Sequence, residues 1–360
     1  MDGDGHGMTH AVAPGLHDEP EPGRSGRATW IRRLVLLALA LACAKIIIDL
    51  VGQIDWDAVW QGIAHLEWWQ LAVLVALVVV RQVLNAMPLV YFIDGLSPVR
   101  AAASDQGATL LSMVAPPTAD SVFRIVVLRS WGIDIDRAAA GGTSNILVFY
   151  MARWIAPLLG VLLLLTVRFD GTYALVAAGS LVVAIAIFVG GLLVTRSRPL
   201  AERLGRLAGQ VAHRFRSKVD PERWATSVAG FQGHIADRYR TGVALSIPTL
   251  IVKLLVDASI ALLAIRFIGV GSDQLSAVEI VAAFLVVFPL TLFPFQGIGI
   301  LDATLVAALT AVGGVELEAQ LVAAMVTYRV VTLVVPGLLG LLFVLGWRHT
   351  TDREEREQAR

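Results

Sequence analysis

One cysteine, Cys43, stands in 360 residues, so an internal disulfide framework and a cysteine-based zinc site are both excluded. Charge is scarce. Only 16% of residues are charged and the two signs cancel at 29 each, which removes the basic field that a nucleic-acid partner needs. No Gly-x-x-x-x-Gly-Lys loop, Gly-x-Ser-x-Gly elbow or His-Glu-x-x-His pair occurs, so an ATPase, a hydrolase or a zinc peptidase has no support. No metal, cofactor or catalytic residue is expected.

Apolar sequence is abundant instead. Hydrophobic residues make up 56% of the chain and the mean hydropathy is +0.71, far outside the soluble range. Runs long enough to cross a bilayer, roughly 18 residues or more, lie near 33–51, 70–93, 172–194, 241–267, 276–293 and 318–346. Two further segments, 105–128 and 138–167, are apolar but irregular. The implied fold class is all-α: a polytopic membrane helix bundle over 31–347, between a polar tail at 1–30 and a charged tail at 348–360.

Charge placement sets the topology. The first 28 residues are polar and lack apolar periodicity, a disordered tail in which His6, His10 and His17 are read as solvated. Arg24, Arg27, Arg32 and Arg33 precede the first run and place the N-terminus in the cytoplasm of a cell (plasma) membrane protein. Arg32 and Arg33 followed by leucines and Cys43 are superficially like a secretion signal, but the apolar run continues through 46–48, so an uncleaved span is expected. The next loop, 52–67, carries Asp55, Asp57 and Glu67 without Lys or Arg and belongs outside, with Trp56, Trp60, Trp68 and Trp69 as interface anchors. Residues 196–240 hold ten Lys or Arg against four acids and read as a basic amphipathic cytoplasmic hairpin, broken at Asp220-Pro221. It faces anionic lipid, the protein's own underside or a cytosolic partner.

Polar residues deep in the apolar runs are the candidate site. Arg81 lies near the centre of 70–93, with Asn85 one turn on and Pro88 beyond; an intramembrane arginine is a functional-site candidate by default. Pro116 and Pro117 interrupt 105–128, with Asp120 and Arg124 after them, which indicates a re-entrant hairpin. Asn145, Phe149 and Arg153 fall at i, i+4 and i+8, on one helical stripe. Lys253 and Asp257, at i and i+4, read as a self-neutralised structural pair. The densest cluster is Pro294-Phe295-Gln296-Gly297-Ile298-Gly299-Ile300-Leu301-Asp302, followed by Tyr328-Arg329. Such a broken helix offers N–H groups to an anion; alternatively it is a tight interhelical turn in which glycine permits close packing and Asp302 caps the helix.

The two irregular regions share an order of parts. The first reads Pro116-Pro117, Asp120, Arg153, Pro157, Gly160 and the second Pro294, Gly297, Gly299, Asp302, Arg329, Pro336, Gly340, with proline-to-arginine spacings equal to within two residues. This reads as an internal repeat of a broken hairpin followed by a long span. At Pro294, Gln296, Gly297, Gly299, Asp302, Gly313, Gly314, Tyr328, Arg329, Pro336 and Gly340 the chain resembles the transmembrane region of lysylphosphatidylglycerol synthases and their stand-alone flippase-like relatives. Asp120, Arg124 and Arg153 are similar to the first-half pattern of that family. Gln296 stands where the family pattern has glycine, and Asp302 where it has glutamate. No soluble aminoacyl-transferase domain follows Trp347 in this sequence, so lysyl transfer is not expected.

The resemblance implies a lipid translocase that moves an anionic phospholipid or lipid-linked group between leaflets, with membrane lipids as partners. The substrate-binding residues it and the deep charges nominate are Arg81, Asn85, Asp120, Arg124, Asn145, Arg153, Gln296, Gly297, Gly299, Asp302, Tyr328 and Arg329. Two alternatives stay open: a polytopic transferase using a lipid-phosphate donor with Asp55 and Asp57 as an outer acid pair, and a non-transporting scaffold acting through 196–240. The topology is directly testable: a membrane-impermeant thiol reagent applied outside should modify Ala58→Cys and leave Ser217→Cys untouched, and the reverse pattern would overturn it.

Overall fold

In an apolar environment a backbone must satisfy its own hydrogen bonds, and this chain does so by helix alone among the described residues. The computed structural model describes residues 66–114, 119–166 and 221–358, with scattered positions at 61, 64 and between 182 and 210. These all fall in one unit, Ile54–Arg360. The N-terminal tail, the first span, most of the external loop with its acid pair, the span at 172–194, most of 196–220 and the Pro116-Pro117 tip lie outside the described residues.

Eight α-helices are described. They are α1 (Trp68–Phe92), α2 (Pro98–Val114), α3 (Ala119–Ser130), α4 (Ile135–Leu164), α5 (Pro221–Phe267), α6 (Ala277–Val287), α7 (Ile300–Gly313) and α8 (Glu318–Gln358). Three segments, Trp68–Phe92, Ile135–Leu164 and Val315–Trp347, are long and apolar enough to span a membrane. The chain is thus a multi-pass membrane protein in its architecture.

Local sequence explains the boundaries. Glu67 N donates to Gln70 Oε1 at 2.9 Å at the start of α1, and Ser276 and Glu279 form a reciprocal cap for α6, with Glu279 N donating to Ser276 Oγ at 3.2 Å and Ser276 N to Glu279 Oε2 at 3.0 Å. Proline at the first helical position opens α5 at Pro221, as its sequence predicts. The second arm of the basic hairpin and the span after it are nevertheless one 47-residue helix, Pro221–Phe267, which carries Pro248 within it. Gly242, where the two join, is packed against the Phe92 ring.

Elsewhere the apolar run at 276–293 does not make a span. It stops as a helix after 11 residues, roughly half the length a bilayer core requires. Pro289 and Pro294 then open two short 3-10 turns, Phe288–Leu292 and Pro294–Gly297, since a ring in place of an N–H cannot continue the α ladder.

Two hairpins result, α2–α3 and α6–α7, and they open toward opposite ends of α8. At the base of α2–α3, Arg100 stacks on Trp131 at 5.5 Å, Trp131 meets Phe343 at 6.2 Å and Trp347 Nε1 donates to Ser130 Oγ at 3.2 Å. At the base of α6–α7, Gly313 packs on Leu275 and Leu317, beside the start of α8. Arg266 seals that end by donating to the carbonyls of Val270, Gly271 and Leu275 at 2.9, 2.7 and 2.6 Å.

Each long helix crosses to the other hairpin. Gly160 of α4 lies against α6, where a Cβ would sit 2.8 Å from the Ala282 carbonyl oxygen, and Gly340 of α8 lies against α2, where a Cβ would sit 2.5 Å from that of Gln106. These approaches are backbone to backbone, so a methyl has nowhere to go. Gly160→Ala and Gly340→Ala should each lower stability by about 1–3 kcal/mol in detergent thermal unfolding, whereas Gly142→Ala, with open space around it, should not.

Candidate functional site

A charge held in apolar surroundings is costly unless an opposite charge meets it. The helices converge so that most of theirs are met. Asp257 on α5 is the hub: its Oδ1 lies 3.1 Å from Arg81 Nε of α1 and accepts from the Tyr328 hydroxyl of α8 at 3.1 Å, while its Oδ2 accepts from Lys253 Nζ at 3.0 Å. The Lys253 ammonium also lies 5.2 Å above the Phe288 ring.

Tyr328 and Arg329 are neighbours, about 100° apart around α8, so they reach different acids. Arg329 Nε donates to both oxygens of Asp302 on α7, at 2.8 and 3.0 Å. Asp302 Oδ2 in turn accepts from the Gly299 N–H at 2.9 Å and caps the start of α7. A third cluster forms around Asp105 of α2, which accepts from Arg124 Nη2 and Asn85 Nδ2 at 2.8 Å each. Beside it Gln82 Nε2 donates to Gln106 Oε1 at 2.9 Å.

Arg153 of α4 breaks the pattern. It has no acid partner among the described residues; its Cζ rests 5.8 Å from the Tyr150 ring centroid and its buried Nε has no acceptor. A cavity of about 180 Å³ opens beside it, walled by Arg81, Asn85, Arg153, Lys253, Asp257, Gln296, Tyr328 and Arg329, with Thr291, Thr332 and Phe149 between them. Counting Asp302 behind Arg329, four cations face two carboxylates, and two positive charges are left unmatched.

Six of the twelve residues nominated by sequence therefore border one space: Arg81, Asn85, Arg153, Gln296, Tyr328 and Arg329. The other six do not. Asp302 stands behind Arg329, and Arg124 belongs to the Asp105 cluster. Asp120 is half-buried in the first turn of α3. Asn145 is buried off the wall, although Phe149 and Arg153 of the same stripe are on it.

The glycines serve the turn and not the cavity. The Gly297 N–H donates to the Phe293 carbonyl at 3.1 Å and that of Gly299 to Asp302, so neither of the two N–H groups expected to meet an anion is left for one. Gly297, at φ 71°, lies so close to the Leu290 carbonyl that no Cβ fits. Close packing with a capping Asp302 is what this stretch does.

Three residues escaped the sequence reading. Asp105, Gln82 and Gln106 carry the second network, and the only signal was an Asp-Gln pair within an apolar helix. Lys253 and Asp257 do pair, yet they also form a wall of the cavity, because Arg81 and Tyr328 arrive from other helices. Pairing within α5 could not reveal that.

Residues 30–340 match the family model described as the lysylphosphatidylglycerol synthase TM region. The chain belongs to that family. No curated protein matches it. Gln296, exposed and at the cavity wall, is held at φ 56°. A side chain in that left-handed region costs about 1 kcal/mol or more relative to glycine.

The charge arrangement makes a stability prediction with two opposite signs. Asp257→Asn strands Arg81 and Lys253 and should lower unfolding stability by about 3–5 kcal/mol. Arg153→Gln removes a cation with no partner and should leave the melting temperature unchanged or raise it.

Proposed function

We propose that the protein is a flippase-like lipid translocase, in which the headgroup of an anionic phospholipid or lipid-linked group passes between leaflets through the arginine-bordered cavity. The observation that carries this reading is Arg153: a cation with no acid partner among the described residues, beside an open polar space, where structure alone would favour its removal. An anionic headgroup supplies the missing charge, and guanidinium groups bind phosphate through paired N–H donors.

The architecture supports transport in a second way. Hairpins that open toward opposite ends of α8, with each long helix packed on the other hairpin through a glycine, fit two inverted repeats whose shared site lies between them. On the charge-based topology, α2–α3 enters from the cytoplasmic face and α6–α7 from outside, both as re-entrant hairpins. The C-terminal end of α8 then lies on the cytoplasmic side. Neither repeat needs chemistry: a rocking motion that exposes the Arg153–Arg329 wall to one leaflet and then the other moves a headgroup while the acyl chains stay in lipid.

The test is headgroup accessibility in proteoliposomes, read with several anionic and glycosylated lipids. The wild-type protein should move an anionic lipid across the bilayer. Arg153→Gln and Arg329→Gln should abolish that movement in protein that still inserts, whereas Arg153→Lys should keep part of it as a point charge. Full activity in Arg153→Gln would remove the basis of the proposal.

A further inference from the structure

Resting on the translocase reading, we propose that the cavity's ligand is the headgroup of a lipid phosphate monoester, a dianion with three terminal oxygens, in preference to a phosphodiester, a monoanion with two. Charge and donor geometry both point that way.

The first observation is the balance of charge. Arg81, Lys253 and Asp257 leave one positive charge, Arg329 and Asp302 leave none, and Arg153 leaves one more. A monoester near neutral pH carries a charge close to −2, with a second ionisation near pH 6, and restores neutrality in this site. A diester leaves one cation uncompensated in apolar surroundings.

The second observation is the set of donors. Arg81 Nη1, Arg153 Nε and Arg329 Nη2 are each buried without an acceptor, and they come from three helices, α1, α4 and α8, around one space. Three guanidinium groups arranged about a phosphate suit three free oxygens, one or more donors to each. A diester has an alkyl group in place of the third, and that side of the site then faces an unpaired guanidinium.

The third is size. At about 180 Å³ the cavity is smaller than the ~300–1,000 Å³ that drug-sized ligands fill. A bare phosphate fits within it.

The experiment uses the purified full-length protein in nanodiscs of zwitterionic lipid. Binding of short-chain phosphatidic acid, a monoester, is compared with short-chain phosphatidylmethanol, which differs by one methyl ester, and with inorganic phosphate. At about pH 7.5 the monoester should bind about tenfold more tightly than the diester. Near pH 5.5 it takes up its second proton, and the preference should shrink to within about threefold. Arg153→Gln should erase the preference at both pH values. Equal binding at pH 7.5, a preference that ignores pH, or one that survives Arg153→Gln would each overturn the assignment. Inorganic phosphate binding as tightly as phosphatidic acid would overturn the lipid source.

Movement in proteoliposomes is read separately, so the two proposals fail apart. Monoester-selective binding without movement sustains this assignment and removes the translocase. Movement of phosphodiester lipids with no monoester preference does the reverse.

Discussion

Asp257 is the point on which the bundle depends. An ionised carboxylate survives inside an apolar bundle only where cations and hydroxyls replace water, and Asp257 gathers Arg81, Lys253 and Tyr328 from α1, α5 and α8. Without it, two cations on neighbouring helices would repel each other across a shared wall. The same logic repeats at Asp302 with Arg329 and at Asp105 with Arg124. Each acid thus fixes the register of helices that apolar packing alone would let slide, because lipid tails compete equally for every apolar face.

Backbone constraints work alongside these charges. Pro289 and Pro294 end α6 early and force two turns, and Gly297 lets those turns lie on one another. The freed backbone groups are then recovered locally, by Phe293 and by the carboxylate of Asp302. One side chain therefore does two things: it caps a half-helix and holds Arg329 at the cavity. Gln296, in the middle of this turn, is strained where glycine would not be, which places a long polar side chain at the wall for reasons other than stability.

Against this background of satisfied charge, Arg153 is the exception, and the function proposed for the protein rests on it. Ion pairs lock the other arginines in place while leaving N–H groups of Arg81 and Arg329 without acceptors. Those two arginines are thereby positioned at the cavity before any ligand arrives. Preorganised donors of this kind bind an anion without first paying to be ordered.

Much of this was legible in the chain. Long apolar runs interrupted by Pro, Gly and charge determine a helical membrane bundle with broken hairpins, since lipid admits only helices and closed barrels, and barrel strands would alternate apolar with polar residues. The residues Arg81, Arg153 and Tyr328-Arg329 are conspicuous for the same reason: burial makes them expensive wherever the chain puts them. What sequence could not decide is who meets whom. Lys253 and Asp257 look like a closed pair at i and i+4, because sequence shows only neighbours along one helix. Tertiary packing brings Arg81 and Tyr328 to Asp257 and Asp105 to Arg124, turns the Gly297 and Gly299 N–H groups inward, and gives Arg153 no acid partner among the described residues. Those outcomes depend on contacts between helices far apart in the chain, and pairing energy in an apolar interior follows distance in space and not separation in sequence.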